Sequence, residues 1–592
     1  MGRDGREPLR GERVTLALHG LGVSRGIAIG AVHLLKRDAP EPTERGIEAD
    51  EIETEVERLR AAVAAASDQI RSVLTRIPAD APGDIGAFLD AHLMMLNDAA
   101  FTGEPVRLIR ERACNAEWAL ALQRDALMRV FSAMEDPYLR TRQDDVRHVV
   151  ERILRVLSGA APVAHDKEGE NLHGLVIVAE DLTPADTVQL QQAGIAAFAI
   201  EHGGPTAHTA ILARSLGIPA IVGLPNLRRL LRDGETIVID GTAGVLIALA
   251  DEALLRYYRE RKRQERRYQT ELIQLREAES LTLDGIAVEL QANIELTADF
   301  ASVRRVGARG VGLYRTEFLY MNRTTPPSEE EQFETYVGIF REMDGVPVTI
   351  RTVDLGADKL NLNWQRTSAS AVNPALGLRG LRLCLHEPEL LIAQLRAILR
   401  ASAFGPLRMM VPMISTLQEL RQFMAHLEEV RKELRREECE FDESMPIGGM
   451  IEVPAAALCA DTFAAALDFL SIGTNDLIQY TMAIDRDNEE VSYLYDPINP
   501  GVLRLIDYVL QAGIRHATPV AMCGEMAGDT RYVRLLLAMG LRSFSVHPAA
   551  LLEVKRVIRR TSLESLASFG ARTRLLESCA EVRDLLSELE AL

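Results

Sequence analysis

The sequence predicts a multidomain α/β protein: a first α/β domain interrupted by an α-helical bundle, then a C-terminal (β/α)8 barrel. Three observations point there. From residue 281 onward, eight short β-type runs alternate with helical segments, the pattern of a parallel barrel. Residues 41–159 carry apolar residues at helical spacing, with turn-rich breaks between segments. On either side, at 19–40 and 160–250, lie β-rich runs bounded by Gly, Asp and Thr-Pro.

In chain order, residues 1–18 read as a flexible N-terminal extension. HGLGVSRGIAIGAVHLL (19–35) mixes glycine with β-branched residues and predicts a short strand or two. From about 47 the period changes, and Ile52, Val56, Leu59 and Val63 fall on one helical face. Further helices are expected at roughly 84–97, 115–134 and 138–158, separated by turns such as PADAPGD and EDPY. HGLVIVAED, GIAAFAIE and ETIVIDG then read as strands with helices between them, so the bundle is an insertion. Residues 251–280 are about half charged, mixed in sign and free of Gly and Pro, which describes a solvated linker helix. Within the barrel domain, 281–592, strands are expected at 288–294, 310–315, 348–354, 407–414, 447–453, 469–476, 519–526 and 543–546.

A net charge of −19 over 592 residues argues against a nucleic-acid partner, which needs a basic face. The six cysteines (Cys114, Cys384, Cys439, Cys459, Cys523 and Cys579) have neither CxxC nor zinc spacing, as in a reduced, cytoplasmic setting. The N-terminus lacks the apolar core of a signal peptide. No apolar run reaches the roughly 18 residues of a membrane helix, so no membrane insertion is expected.

A (β/α)8 barrel does its chemistry at the C-terminal ends of its strands. The residues expected there are Arg315, Arg351, Asp354, Glu452, Asn475, Asp476, Cys523 and Glu525, with Arg379 and Arg486 in adjoining loops. One arginine at a strand end is more often a surface residue. Several on different strands point to bidentate capture of phosphate and carboxylate. Neighbouring Glu and Asp can hold Mg²⁺, and a thiol at the same mouth can act as a general acid. The mouth therefore suits a small, phosphorylated anion. In the first domain, His208 sits where a Gly-rich turn (Gly203, Gly204) meets a helical run, with Thr206 and Thr209 beside it. On residue type alone, a capping or core histidine is the commoner occupant of such a position. The phosphorylated substrate gives it another job, since a helix N-terminus holds a phosphoryl group well.

The segments GGPTAHTAILARSLGIPAIVG, GVGLYRTEFLYM, RTVDLGADK, NPALGLRG, MIEVPAA, SIGTNDLIQYTMAIDR and MCGEMAGD, taken in order, resemble enzyme I of the bacterial phosphoenolpyruvate:sugar phosphotransferase system. The resemblance runs from about 19 to 570. It implies a swivelling phosphohistidine domain and a barrel that binds phosphoenolpyruvate and Mg²⁺. His208 would take the phosphoryl group on Nε2 and pass it to a histidine of the carrier protein HPr, docked on the 41–159 bundle. Arg315 and Arg351 would bind the phosphate, while Arg486 and Asn475, helped by Arg379, would hold both ends of the substrate. Glu452 and Asp476 would ligate Mg²⁺, and Cys523 would protonate the enolate to give pyruvate. Thr183 matches a threonine that contacts the active histidine, and Lys359 is a supporting residue. The family dimerises through the barrel and serves sugar uptake or its regulation.

The chain departs from the family pattern at Pro205, where Arg is common, at Ala357 in place of a second Gly, and at Leu378, where Trp is frequent. A pyruvate phosphate dikinase or phosphoenolpyruvate synthase would need a further ATP-binding domain, and the nitrogen-related enzyme I a further sensory domain. A catalytically silent docking paralogue is the alternative from another class. It would be marked by loss of His208, Glu452 or Asp476, all of which are present.

Overall fold

Short β-rich runs that are apolar on both faces need cover on both sides, and the first sheet has it. Its strands, in the computed structural model, are β1 (Leu16–His19), β2 (Leu21–Ser24), β3 (Ile27–Leu34), β4 (Val176–Ala179), β5 (Ala197–Ile200), β6 (Ala220–Val222), β7 (Thr236–Asp240) and β8 (Val245–Ala248). The structure describes residues 15–35, 42–76, 83–132, 137–159, 172–204, 208–295, 299–320, 323, 325–343, 345–356, 373–486, 488 and 490–592. The chain forms two compact units, Met1–Tyr268 and Gln269–Leu592.

The sheet order is β1-β8-β7-β3-β4-β5-β6-β2. The central strands β3 to β6 run parallel, and β4 and β5 are buried at every residue. Residues 16–34 hold three strands rather than one or two, because Gly20 and Gly26 let the chain turn twice within a few residues.

Between β3 and β4 come α1 (Ile52–Arg76), α2 (Gly83–Asn97), α3 (Ala99–Thr102), α4 (Glu104–Arg112), α5 (Ala116–Ser132) and α6 (Pro137–Leu157). The helices α7 (Pro184–Gln192) and α8 (His208–Leu216) follow β4 and β5, and α9 (Leu227–Leu230) precedes β7. The bundle core of Val56, Leu59, Ile109, Leu120, Val149 and Ile153 also takes in Ala185 and Val188 of α7 and Leu212 of α8. The insertion therefore packs on the helices of its host domain. Helices α3 and α4 were not expected. Asp98 caps the first by accepting from Ala100 N, and Pro105 sits in the first turn of the second, where its missing N–H costs nothing.

Helix α10 spans Glu252–Gln274. Near its start, Tyr258 packs on Ile27, Val238 and Ile247, and Arg261 pairs with the fully buried Asp240 at 2.7 Å. Beyond its end, Lys555 Nζ donates to the carbonyls of Leu275, Arg276 and Ala278 at 3.0–3.1 Å.

The second unit is a closed barrel of eight parallel strands: β9 (Glu289–Ile294), β10 (Val311–Tyr314), β11 (Val348–Arg351), β12 (Leu407–Val411), β13 (Ile447–Ile451), β14 (Phe469–Ile472), β15 (Val520–Met522) and β16 (Ser543–Val546). Pairing of β16 with β9 closes it. Several strands stop one to four residues short of the expected C-terminal ends. Two end four residues short, at 469–476 and 519–526, and in the first Thr474 already opens the helix Thr474–Met482. Asn475 and Asp476 therefore sit in a helical first turn, a favourable place for a carboxylate. Leu313, Met410, Met450, Phe469 and Cys523 fill the barrel interior.

That packing allows no side chain at Gly448, where a Cβ would lie 2.3 Å from Phe469 Cζ. Gly448→Ala is expected to cost about 1–3 kcal/mol by overpacking, read as a lower midpoint in calorimetric unfolding. The double variant with Phe469→Leu should recover much of the loss.

Candidate active site at the barrel mouth

The last ladder bonds of the barrel leave its side chains converging at one end. Nine of the residues singled out from the sequence line a single cleft of ≈ 270 Å³: Arg315, Arg351, Asp354, Arg379, Glu452, Asn475, Asp476, Arg486 and Cys523. Glu317 and Glu295 line it as well.

The carboxylates come from three strand ends. Asp354 follows β11, Glu452 follows β13, and Asp476 lies in the first turn of the helix after β14. All are buried, and one oxygen of each lies within 4.8 Å of the others. Glu452 is 1% exposed and accepts from Met413 N at 2.7 Å. Met413 holds φ at +55°, a left-handed strain that aims its N–H at the carboxylate. Gly473 makes room, since a Cβ there would stand 2.7 Å from Glu452 Oε2.

Burial and the facing carboxylates of Asp354 and Asp476 push Glu452 up to about 8. Asp354 goes the other way. Burial opposes its charge, but Arg351 and Arg379 hold it below the usual carboxylate range. Arg379 bridges two of the acids: Nε donates to Asp354 Oδ1 at 3.0 Å and Nη1 to Asp476 Oδ1 at 3.1 Å. This all-oxygen cluster fits a hard divalent cation, which would also relieve the crowding that keeps a proton on Glu452.

The arginines are held in turn. Arg351 donates from Nη2 to Glu317 Oε1 at 2.9 Å and lies 3.3 Å from Asp354 Oδ2. Its buried Nε–H has no partner, a donor left over for a ligand. Arg315 pairs with Glu295. Asn475 and Glu525 exchange two hydrogen bonds, from Nδ2 at 3.0 Å and from the Glu525 amide at 2.9 Å. Arg486 stands exposed at the rim.

Cys523 follows β15, receives the Ser471 hydroxyl at 3.3 Å and directs its own thiol toward Ile472 O at 3.7 Å. Burial pushes its thiol up, although the Ser471 bond works against this, so at neutral pH it is a proton donor rather than a thiolate.

In the first unit, His208 is the first residue of α8, and its side chain is outside the described residues, as are Pro205, Thr206 and Lys359. Thr209 Oγ1 donates to Leu182 O at 2.6 Å, tying the start of α8 to the loop before α7. Thr183 caps α7: its Oγ1 accepts from Asp186 N at 3.2 Å and from Arg152 Nη2 at 3.3 Å.

Sequence reasoning gave Asp354 no ligand role and overlooked Glu317 and Glu295 as arginine partners. RTVD held a local signal for Asp354, which follows Arg351 by three residues, whereas Glu317 and Glu295 pair with arginines 34 and 20 residues away.

Three family models match the chain: "PEP-utilising enzyme, N-terminal" over 19–142, "PEP-utilising enzyme, mobile domain" over 172–244 and "PEP-utilising enzyme, PEP-binding domain" over 269–563. A phosphoenolpyruvate-protein phosphotransferase of Cupriavidus necator is 47% identical, covering 93% of this chain and 95% of its own. One from Geobacillus stearothermophilus is 40% identical, covering 95% and 96%. One from Listeria innocua is 39% identical, covering 97% and 99%.

The raised Glu452 sets a pH dependence. Below about 8 the carboxyl is protonated, and a cation must displace that proton to bind. Affinity for a divalent cation, measured by titration calorimetry, is therefore expected to fall on the order of tenfold per pH unit on acidification and to level off at higher pH. Glu452→Gln should abolish the slope.

Proposed function

The chain belongs to the phosphoenolpyruvate-protein phosphotransferases, and from that premise we propose how its residues divide the reaction. Phosphoenolpyruvate is the substrate, and the enzyme is a phosphotransferase. The bridging P–O bond of phosphoenolpyruvate breaks as a P–N bond forms at His208 Nε2. The enolate left behind takes a proton on carbon from the Cys523 thiol and leaves as pyruvate. The phosphoryl group then goes to a histidine of HPr docked on the 41–159 bundle, the first step of sugar uptake or its regulation.

Arg315 and Arg351 receive the phosphate, while Asn475, Arg486 and Arg379 hold the two ends of the substrate. Glu452 and Asp476, joined by Asp354, would hold Mg²⁺, which would supply positive charge against the phosphate. Lys359 and Thr183 are supporting residues. Such transfer rests on positioning and charge neutralisation more than on covalent help from the protein. The enzyme works in the cytoplasm as a homodimer through its barrel. Among the described residues no helix is long and apolar enough to cross a membrane.

One observation carries this reading: arginines, carboxylates and a thiol from six strand ends and two loops line one cleft. Incubation with ³²P-labelled phosphoenolpyruvate and Mg²⁺ tests it. Label stable to base and labile to acid should appear on the wild type, pass to added HPr and be absent from His208→Ala. Label retained by that variant would move the acceptor elsewhere. Cys523→Ser should bind phosphoenolpyruvate normally yet lower the rate of enzyme phosphorylation by roughly 10²–10⁴, the usual worth of a general acid. An unchanged rate in a quenched-flow measurement would remove Cys523 from the mechanism.

A further inference from the structure

Helices α2 and α6 bring together a second set of ligand-type side chains, inside the first unit and unused by the chemistry above. His92 on α2 and Asp145 and His148 on α6 are 2%, 1% and 5% exposed, and one ligand atom from each lies within 4.8 Å of the other two. Asp145 and His148 are three residues apart on α6, so they share a face. His92 Nε2 is 3.3 Å from Asp145 Oδ1.

The partner of His148 is informative. Its Nε2 lies 2.9 Å from Asp181 Oδ2, in the loop after β4. A carboxylate there accepts the ring N–H, which in the neutral ring leaves the lone pair on Nδ1. That Nδ1 is buried and has no hydrogen-bond partner. A carboxylate behind one ring nitrogen and an unused lone pair on the other is how proteins prepare a histidine for a metal.

We propose that His92, Asp145 and His148 form a binding site for a borderline divalent cation of the zinc class, with Asp181 orienting His148 from behind. Two imidazoles and one carboxylate suit zinc and leave a fourth position for water, whereas Mg²⁺ prefers the all-oxygen cluster of the barrel. Asp145 and Asp181 supply the two negative charges that offset the cation, although Arg147 already draws on Asp181 at 3.2 Å. The site would join the helical insertion to the Asp181–Leu182–Thr183 loop, whose Leu182 carbonyl holds the start of α8 through Thr209. Occupancy would thereby stiffen the helix that begins at His208.

The test uses the full chain, stripped with chelator, alkylated at its cysteines and titrated with Co²⁺ in excess Mg²⁺ to saturate the barrel site. One equivalent of Co²⁺ should bind, with the visible bands of nitrogen–oxygen coordination. His148→Gln should abolish that binding. Asp181→Asn keeps the shape of the site and should weaken it about 10–100-fold, the usual effect of losing the group behind a ligand. Far-UV circular dichroism checks that both variants fold. If His148→Gln does not fold, the Asp181→Asn shift alone decides. No Co²⁺ bound in excess Mg²⁺, or binding unchanged in the folded variants, overturns the proposal.

Discussion

The barrel mouth depends on the Asp354 carboxylate. It is almost wholly buried, receives Arg379 at 3.0 and 3.1 Å, and lies 3.3 Å from Arg351. Without it, two buried or half-buried guanidinium groups would lose their shared counter-charge, a costly arrangement in a low-dielectric interior. Its own backbone N–H donates to Glu317 Oε1, the same oxygen that receives Arg351. One side chain thus fixes the positions of both arginines and of the acid behind them.

That solution leaves a residue of strain, and the strain falls on Glu452. Two arginines satisfy Asp354 and Asp476, but Glu452 faces both carboxylates with only a backbone N–H of its own. The mouth is therefore short of positive charge where the three acids meet, and it has donors in excess where Arg351 Nε is unpartnered. A cation and an anion bound together answer both imbalances. The first unit uses a different device. There, a capping box at Thr183 and the Thr209–Leu182 bond fix the start of α8 through neutral hydrogen bonds.

The architecture was legible because each barrel strand is a short apolar run bounded by Gly, Pro or Asp, and because the insertion changes the hydrophobic period from 2 to 3.6. Placing functional residues at strand ends then required only the barrel rule. The misreadings have local causes. Gly103 and Pro105 look like breakers, but they flank and open α4, where neither breaks anything. The run FLSIGTND is apolar enough to read as one strand, yet Gly473 lets the chain turn straight into a helix. Asp354 was visible as a strand-end residue. Its bridge through Arg379 to Asp476 was not, because Arg379 is 25 residues away and Asp476 a further 97 from that arginine.

By itself the sequence determined the order of elements, the closed barrel and the residue types gathered at its mouth, since periodicity and chain order are local properties that survive without coordinates. Tertiary structure alone decided which charges neutralise one another, which carboxyl keeps its proton, and that His92 meets Asp145 across 53 residues of chain. Electrostatic energy depends on distance and burial in space, and neither is written in the spacing of residues along the chain.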